Sequence, residues 1–171
     1  STATGDAQIA PAAREDFTMS IYEGYYDTLT RVMQDLARKI EHNSRQHALS
    51  HGETLYEHMK MRVKGDESMR QKLQRQGLEP TAYNALRAVH DSIGLRVVCL
   101  FIDDVYRNVE YLRSLPDCRV VQEKDYIQNA KPNGYRSYHM ILEVTAEEAD
   151  IEGNAPGRYY AEVQLRTIAM D

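Results

Sequence analysis

From Arg158 to Arg166 polar and apolar residues alternate without a slip: Arg158, Tyr160, Glu162, Gln164 and Arg166 fall on one side, and Tyr159, Ala161, Val163 and Leu165 on the other. Successive side chains of a strand point to opposite faces, so Arg158–Thr167 reads as a strand with one face in a core and one polar face. That pattern demands a second layer against the apolar side. The polar side sets a carboxylate between hydrogen-bonding groups, which suits a metal or a hydroxyl. It equally suits a solvated outer face, and the strand alone leaves both readings open.

The neighbouring segments supply the partners. Tyr138 to Val144 predicts a strand antiparallel to the last one, the two joined by a polar loop with Gly153, Pro156 and Gly157. Ile93 to Ile102 is rich in Ile, Leu, Val and Phe and predicts a central strand buried on both faces. Arg119 to Tyr126 is a further strand. Phe17, Ile21, Tyr25, Leu29, Val32, Leu36 and Ile40 recur at helical steps and predict one long amphipathic helix from Arg14 to His47. Glu53 to Val63 fits a short strand or an irregular lead-in. Asp66 or Glu67 opens a helix through Leu73 that ends near Gly77, and Pro80 starts a turn toward Ala88. Asp103-Asp104 is expected to cap a helix with Val105, Val109, Leu112 and Leu115 on its apolar face, stopped by Pro116. The order predicts an α+β domain with a mixed sheet flanked by helices.

At 171 residues the chain has the length of one domain. Residues 14–171 are expected to form it, with Ser1 to Ala13 dangling, since they have neither the basic start nor the apolar core of a targeting segment. No apolar run approaches the roughly 18 residues of a membrane span. A formal charge of −5 speaks against a general nucleic-acid binder, although local basic clusters remain compatible with it. Cys99 and Cys118 make neither a disulfide framework nor a zinc site and suggest a reducing cytoplasm.

Four further groups carry chemistry. Asp91, just before the Ile93 strand, would stand at the edge of the sheet; with Glu162 it makes two carboxylates from neighbouring strands, the minimum for holding a Mg²⁺ that also takes water and phosphate oxygens. A turn-capping Asp91 is the alternative. Ser68, Lys72 and Arg75 share a helical face, and with Arg62 and Lys64 they form a basic ridge near a helix N-terminus that suits a polyphosphate, or simply a charged surface. The chain has no Walker loop and no Gly-x-Gly-x-x-Gly. Asn133-Gly134 favours a tight turn with positive φ that exposes Tyr135 for stacking on a flat base, or as a hairpin tip. Arg96 interrupts an apolar strand, and buried there it would need a partner. His90-Asp91 also resembles the dipeptide of metal-dependent phosphohydrolases, but leads straight into a β-branched strand; His47 and His51 have metal-pair spacing without a matching carboxylate or Cys.

The stretch Lys131-Pro-Asn-Gly-Tyr-Arg-Ser-Tyr-His139, the strand Tyr160-Ala-Glu-Val-Gln-Leu-Arg-Thr167, the segment His90-Asp-Ser-Ile-Gly-Leu-Arg-Val-Val98 and the basic series from Arg62 to Arg75 together resemble, in order, the synthetase domain of the RelA/SpoT family, over about residues 53 to 171. Its stand-alone members, the small alarmone synthetases, are the most similar. The resemblance implies a nucleotidyltransferase-like fold with a long N-terminal helix, and Asp91 and Glu162 as Mg²⁺ ligands, with Glu162 near the acceptor hydroxyl. It implies that Arg62, Lys64, Ser68, Lys72 and Arg75 hold the ATP phosphates and that Arg62 and Arg96 sandwich the adenine. It places guanine on Tyr135 and the acceptor's 5′ phosphates on His139, Lys131 and Lys124, with Arg136 helping and Gln164 in the same guanine-nucleotide group. The activity implied is transfer of pyrophosphate from ATP to the 3′-hydroxyl of GDP or GTP, giving ppGpp or pppGpp, the signals of the stringent response. Alternatives are the same chemistry on a tRNA 3′ end or an adenine nucleotide, or a catalytically silent nucleotide- or RNA-binding module. The family also implies a cytoplasmic homo-oligomer, a homotetramer, with no membrane association, and a C-terminal helix expected to be missing after Thr167-Ile-Ala-Met-Asp171.

Overall fold

The computed structural model describes residues 20–171. Its frame is a five-stranded sheet built from β1 (His58–Val63), β2 (Ile93–Cys99), β3 (Cys118–Asp125), β4 (Tyr138–Ala146) and β5 (Gly157–Thr167). The spatial order is β1-β2-β5-β4-β3. β2 and β5 run parallel, and the other three pairings are antiparallel. The helices are α1 (Tyr26–His51), α2 (Asp66–Arg75) and α3 (Ile102–Ser114). The predicted α+β class and mixed sheet are therefore what forms.

The pairing register sorts the two faces. Ile93, Ala161 and Leu142 stand side by side, as do Leu95, Val163 and Met140, and Val97, Leu165 and Tyr138. All nine are buried and face Leu29, Val32, Leu36 and Ile40 of α1 and Val105, Val109 and Leu112 of α3 in one hydrophobic core. The opposite face carries the polar set that the alternation of β5 predicts. Lys60, Arg96, Gln164, His139 and Lys124 form one row across all five strands, and Arg62, Gly94, Glu162, Ile141 and Gln122 the next.

Several sequence expectations are corrected. α1 starts at Tyr26 because Glu23 takes φ 50° and a short 3₁₀ turn, Glu23–Tyr25, precedes the helix. Upstream, Ile21 N donates to Asp66 Oδ2 (2.5 Å) and the Tyr22 hydroxyl to Lys64 O (2.6 Å), so this segment is tied to the start of α2 instead of continuing a helix. The helix runs on to His51 and ends at Gly52, whose positive φ allows the left-handed stop. Phe17 and the 1–13 segment lie outside the described residues. The central strand is β5; β2 stands beside it, with only one face of its first half in the core, so Arg96 is exposed and needs no buried partner. Phe101, in extended backbone, occupies the position before α3, which leaves Asp103 and Asp104 in its first turn and not at its cap. The turn expected after Pro80 is a wide π-helical one, Asn84–Ala88.

The β4–β5 connection is organised by the buried Asp150, whose carboxylate accepts from the backbone of Glu152 (2.9 Å), Asn154 (3.1 Å) and Arg158 (2.9 Å). Gly157 must pass close beneath this loop: a Cβ there would sit 2.0 Å from the Glu148 carbonyl oxygen. Gly157→Ala should therefore lower stability by about 1–3 kcal/mol through backbone overpacking, a fall of roughly 3–10 °C in melting temperature by calorimetry. Gly24→Ala is the control, since a Cβ at Gly24 would meet nothing within 4 Å. Equal melting temperatures for the two variants would contradict this packing.

Candidate active site

The open face of the sheet is hollowed where Gly94 carries no side chain between Arg62 on β1 and Glu162 on β5. A cleft of about 590 Å³ forms there, lined by Lys60, Arg62, Lys64, Asp91, Gly94, Arg96, Glu162 and Gln164. That volume suits a small-molecule site. A second cavity of about 200 Å³ lies across β5 and is lined by Gln122, Lys124, Tyr126, Lys131, His139, Ile141 and Glu162. Glu162 thus belongs to the wall between two cavities, each with basic residues in its lining.

Asp91 is positioned by the turn between the π-helical segment and β2. Its Oδ2 receives Lys72 Nζ from α2 (2.7 Å) and Lys64 Nζ from the end of β1 (3.1 Å). Burial pushes the carboxyl toward its neutral form, but the two lysines outweigh this and hold it below the usual carboxylate range, so the group is ionised. Its Oδ1 is buried and has no hydrogen-bond partner among the described residues. An ionised carboxylate with one oxygen held by ammonium groups and the other idle fits a hard cation. Among the described residues no three His, Cys, Asp or Glu side chains gather into a complete metal cage. A cation held here would draw its remaining ligands from water and phosphate.

His90 departs from the phosphohydrolase pattern. Its ring packs on Tyr160, with centroids 4.1 Å apart, while Asp91 goes to the lysines, so the dipeptide does not act as a unit. Arg87 lies on the same tyrosine (4.5 Å) and binds Glu152 Oε1 (2.5 Å) and the Arg158 carbonyl (3.0 Å), tying the turn before Asp91 to β5. His47 and His51 stack on each other at the end of α1, outside both cavities.

On the second side, Gly134 takes φ 81° and its N–H closes a turn on Lys131 O (2.9 Å), as the Asn-Gly pair predicts. Asn133 Oδ1 accepts from Tyr135 N (3.0 Å). Tyr135 is not a free tip: its hydroxyl is 2.7 Å from His139 Nε2 and accepts from Arg166 Nη2 (3.1 Å). Lys131 Nζ stands 4.6 Å from the Tyr126 ring centre and 5.3 Å from that of Tyr135, a cation–π arrangement. Tyr135 and Arg136 also line a cavity of about 360 Å³ with Ile102, Gly134, Thr167, Ala169 and Met170. Burial pushes the pKa of His139 below the ordinary value; Glu162 opposes this, and Lys131, Arg166 and Lys124 reinforce it.

Most residues singled out in the sequence thus gather on one face: Asp91, Glu162, Gln164, Arg62, Lys64 and Arg96 in the larger cleft, and Lys124, Lys131 and His139 in the smaller one. Gln164 lies on the larger-cleft side and donates to Glu162 Oε1 (3.2 Å). Lys72 reaches the site through Asp91, whereas Ser68 and Arg75 are exposed on α2 and line neither cavity. Lys60, Gly94, Tyr126 and Arg166 were missed. Of the two readings of Glu53 to Val63 the strand is the one that forms, and on it the i, i+2, i+4 spacing of Lys60, Arg62 and Lys64 points to the first.

Comparison with known proteins identifies the family. Residues 61–171 match the region found in RelA and SpoT proteins. GTP pyrophosphokinase YwaC of Bacillus subtilis (strain 168) is 44% identical over 128 residues, which are 75% of this chain; the chain spans 59% of that relative's length. The fold is similar to small alarmone synthetase 2 from Bacillus subtilis, with a TM-score of 0.70 and 38% identity over 84% of this chain and 71% of that one. It is also similar to small alarmone synthetase 1 from the same organism bound to its product pppGpp, with a TM-score of 0.69 and 26% identity over 92% of this chain and 74% of that one. A family match across more than half the chain, onto the strands that build the two clefts, means that this protein belongs to the RelA/SpoT family.

Proposed function

We propose that the protein is a GTP/GDP diphosphokinase, which moves the β,γ-pyrophosphate of ATP to the ribose 3′-hydroxyl of GDP or GTP and releases AMP. The observation that carries this reading is the place of Glu162, on the wall shared by the two cavities. A donor in one and an acceptor in the other would meet at its carboxylate. The names of the relatives, a GTP pyrophosphokinase and a synthetase holding pppGpp, support the substrate class.

In this reading Arg62 and Lys64 hold the ATP phosphates, with Lys72 steadying the acid beside them and Ser68 and Arg75 extending the ridge along α2. Arg62 and Arg96, which line the same cleft from neighbouring strands, take the adenine. Lys124 and Lys131 take the acceptor's 5′ phosphates with Arg136, His139, which the resemblance also gives to those phosphates, turns its Nδ1 toward Glu162 (3.7 Å), and the guanine lies against Tyr135, with Gln164 beside Glu162. Glu162 accepts the proton of the 3′-hydroxyl as its oxygen attacks the β-phosphorus in line; the bond from that phosphorus to the α-phosphate oxygen breaks, and AMP leaves with the electron pair. Asp91 and Glu162 would hold Mg²⁺, which lowers the charge on the reacting phosphates. The idle Oδ1 of Asp91 is the feature that fits such an ion. A cytoplasmic homo-oligomer, a homotetramer, goes with this reading on the strength of the family resemblance.

Two sets of variants test it. Asp91→Asn and Glu162→Gln should each lower transfer by on the order of 10²-fold or more in protein that circular dichroism shows to be folded at the assay temperature, followed by chromatography of labelled ATP with Mg²⁺ and GDP or GTP. Near-normal turnover in either variant, or labelled ADP or tRNA with no labelled guanosine product, would overturn the assignment. Lys72→Ala should raise the ATP requirement and leave that for GDP unchanged. Tyr135→Ala should do the reverse, by at least several-fold, since base stacking on an aromatic contributes about 1–3 kcal/mol. Mixed defects in both variants would contradict separate donor and acceptor sides.

A further inference from the structure

A hydrogen-bond chain runs toward Glu162 on the acceptor side, and its direction follows from the chemistry of its members. Arg166, largely buried, can only donate, and its Nη2 donates to the Tyr135 hydroxyl oxygen (3.1 Å). That hydroxyl is 2.7 Å from His139 Nε2, the one acceptor its proton has among the described residues. The hydroxyl donating to Nε2 satisfies its single proton, whereas an Nε2–H donating to the hydroxyl would leave that proton without a partner among the described residues; the first arrangement, with the imidazole accepting, is the one in which every donor is used. A neutral imidazole whose Nε2 accepts must carry its proton on Nδ1. Nδ1 stands 3.7 Å from Glu162 Oε1, the same oxygen that accepts from Gln164 Nε2 (3.2 Å). Oε2 has no protein partner among the described residues.

We propose that Arg166 and Tyr135 are positioning residues that lock His139 in its Nδ1–H tautomer, so that His139 and Gln164 both point donors at Oε1 of Glu162 and leave Oε2 for the acceptor hydroxyl. The proposal rests on Glu162 being the proton-accepting carboxylate of the proposed reaction. At 3.7 Å the His139 contact is longer than a hydrogen bond. Contacts of this kind commonly tighten when substrate fills a site. The arrangement gives the Tyr135 hydroxyl a task separate from that of its ring: the ring offers a face to the base, and the hydroxyl sets the histidine.

The substitution that separates the two is Tyr135→Phe, which keeps the ring and removes the hydroxyl. Nitrogen-resolved NMR of the imidazole rings in the full chain at pH 8, with His139 signals assigned by their loss in His139→Gln, reads the tautomer directly. The wild type should carry the proton on Nδ1, and Tyr135→Phe should shift it to Nε2, the tautomer an unconstrained ring favours. In activity, Tyr135→Phe should lower kcat by roughly 10–100-fold, the usual cost of losing an orienting partner, with the KM for GDP within about twofold of wild type. A wild-type ring protonated on Nε2, a tautomer unmoved in Tyr135→Phe, or an unchanged kcat in that variant would each overturn the proposal. A wild type without any transfer activity would instead count against the proposed function, while the tautomer measurement would still decide whether the chain of bonds acts on His139.

Discussion

Everything at the candidate site depends on β5 being held between β2 and β4 with one face in the core. Tyr159, Ala161, Val163 and Leu165 are essentially inaccessible to solvent, and their burial fixes which way the alternate residues point. Side chains repeat every two residues, so a slip of one position would turn Glu162 and Gln164 into the hydrophobic core and Val163 out to solvent. That exchange would bury an unpaired charge and expose core surface together, which makes the register one of the best-determined features of the fold. Because β2 is parallel to β5 and β4 antiparallel, the same register sets Gly94 and Ile141 on either side of Glu162, and Arg96 and His139 on either side of Gln164. Placing the acid, opening the cleft beside it and lining up the basic row are consequences of one packing constraint.

Electrostatics then divides the open face into sides. Asp91 is a half-buried carboxylate with two ammonium groups on a single oxygen, an arrangement that keeps it charged and aims its second oxygen away from them. Lys64 and Lys72 come from different elements, the end of β1 and the second half of α2, so the ion cluster also stitches the edge strand and helix to the turn before β2. Removing the acid would leave two partly buried cations facing each other, and removing a lysine would loosen the acid. On the other side, Lys131, Tyr126, Tyr135 and His139 make an aromatic and cationic wall, and among the described residues Glu162 is the carboxylate in the cavity's lining. In a chain with a formal charge of −5, the two cavities where phosphates would lie are thus lined by Lys60, Arg62, Lys64, Arg96, Lys124 and Lys131.

How much of this was legible in the sequence follows from the range of the interactions involved. The alternation of β5, the antiparallel partner β4 and the Asn133-Gly134 turn are local patterns and read correctly. The extent of α1 did not, because its N-terminal limit is set by Ile21 and Tyr22 bonding to Asp66 and Lys64, more than forty residues away. The apolar run predicts a central β2 and a buried Arg96, since Ile, Leu and Val look the same in a central strand as in its neighbour. The strand order that separates the two is a tertiary fact. Glu162, Asp91, Lys64 and His139 could be picked out from residue type and spacing together with the resemblance, but that Arg166 reaches Tyr135 could not. Arg166 shares a face with Glu162 by simple alternation, yet its partner sits on a loop thirty-one residues earlier, and no periodicity links them.

The central claim is that donor and acceptor occupy the two cavities and meet at Glu162. A crystal structure of the protein with Mg²⁺, a non-hydrolysable ATP analogue and GDP tests it most directly. The account predicts the triphosphate beside Arg62 and Lys64, the GDP phosphates beside Lys124 and Lys131, and the 3′-oxygen within roughly 3–3.5 Å of the β-phosphorus and in reach of Glu162 Oε2. Both nucleotides on the same side of β5, or a 3′-oxygen directed away from Glu162, would contradict it.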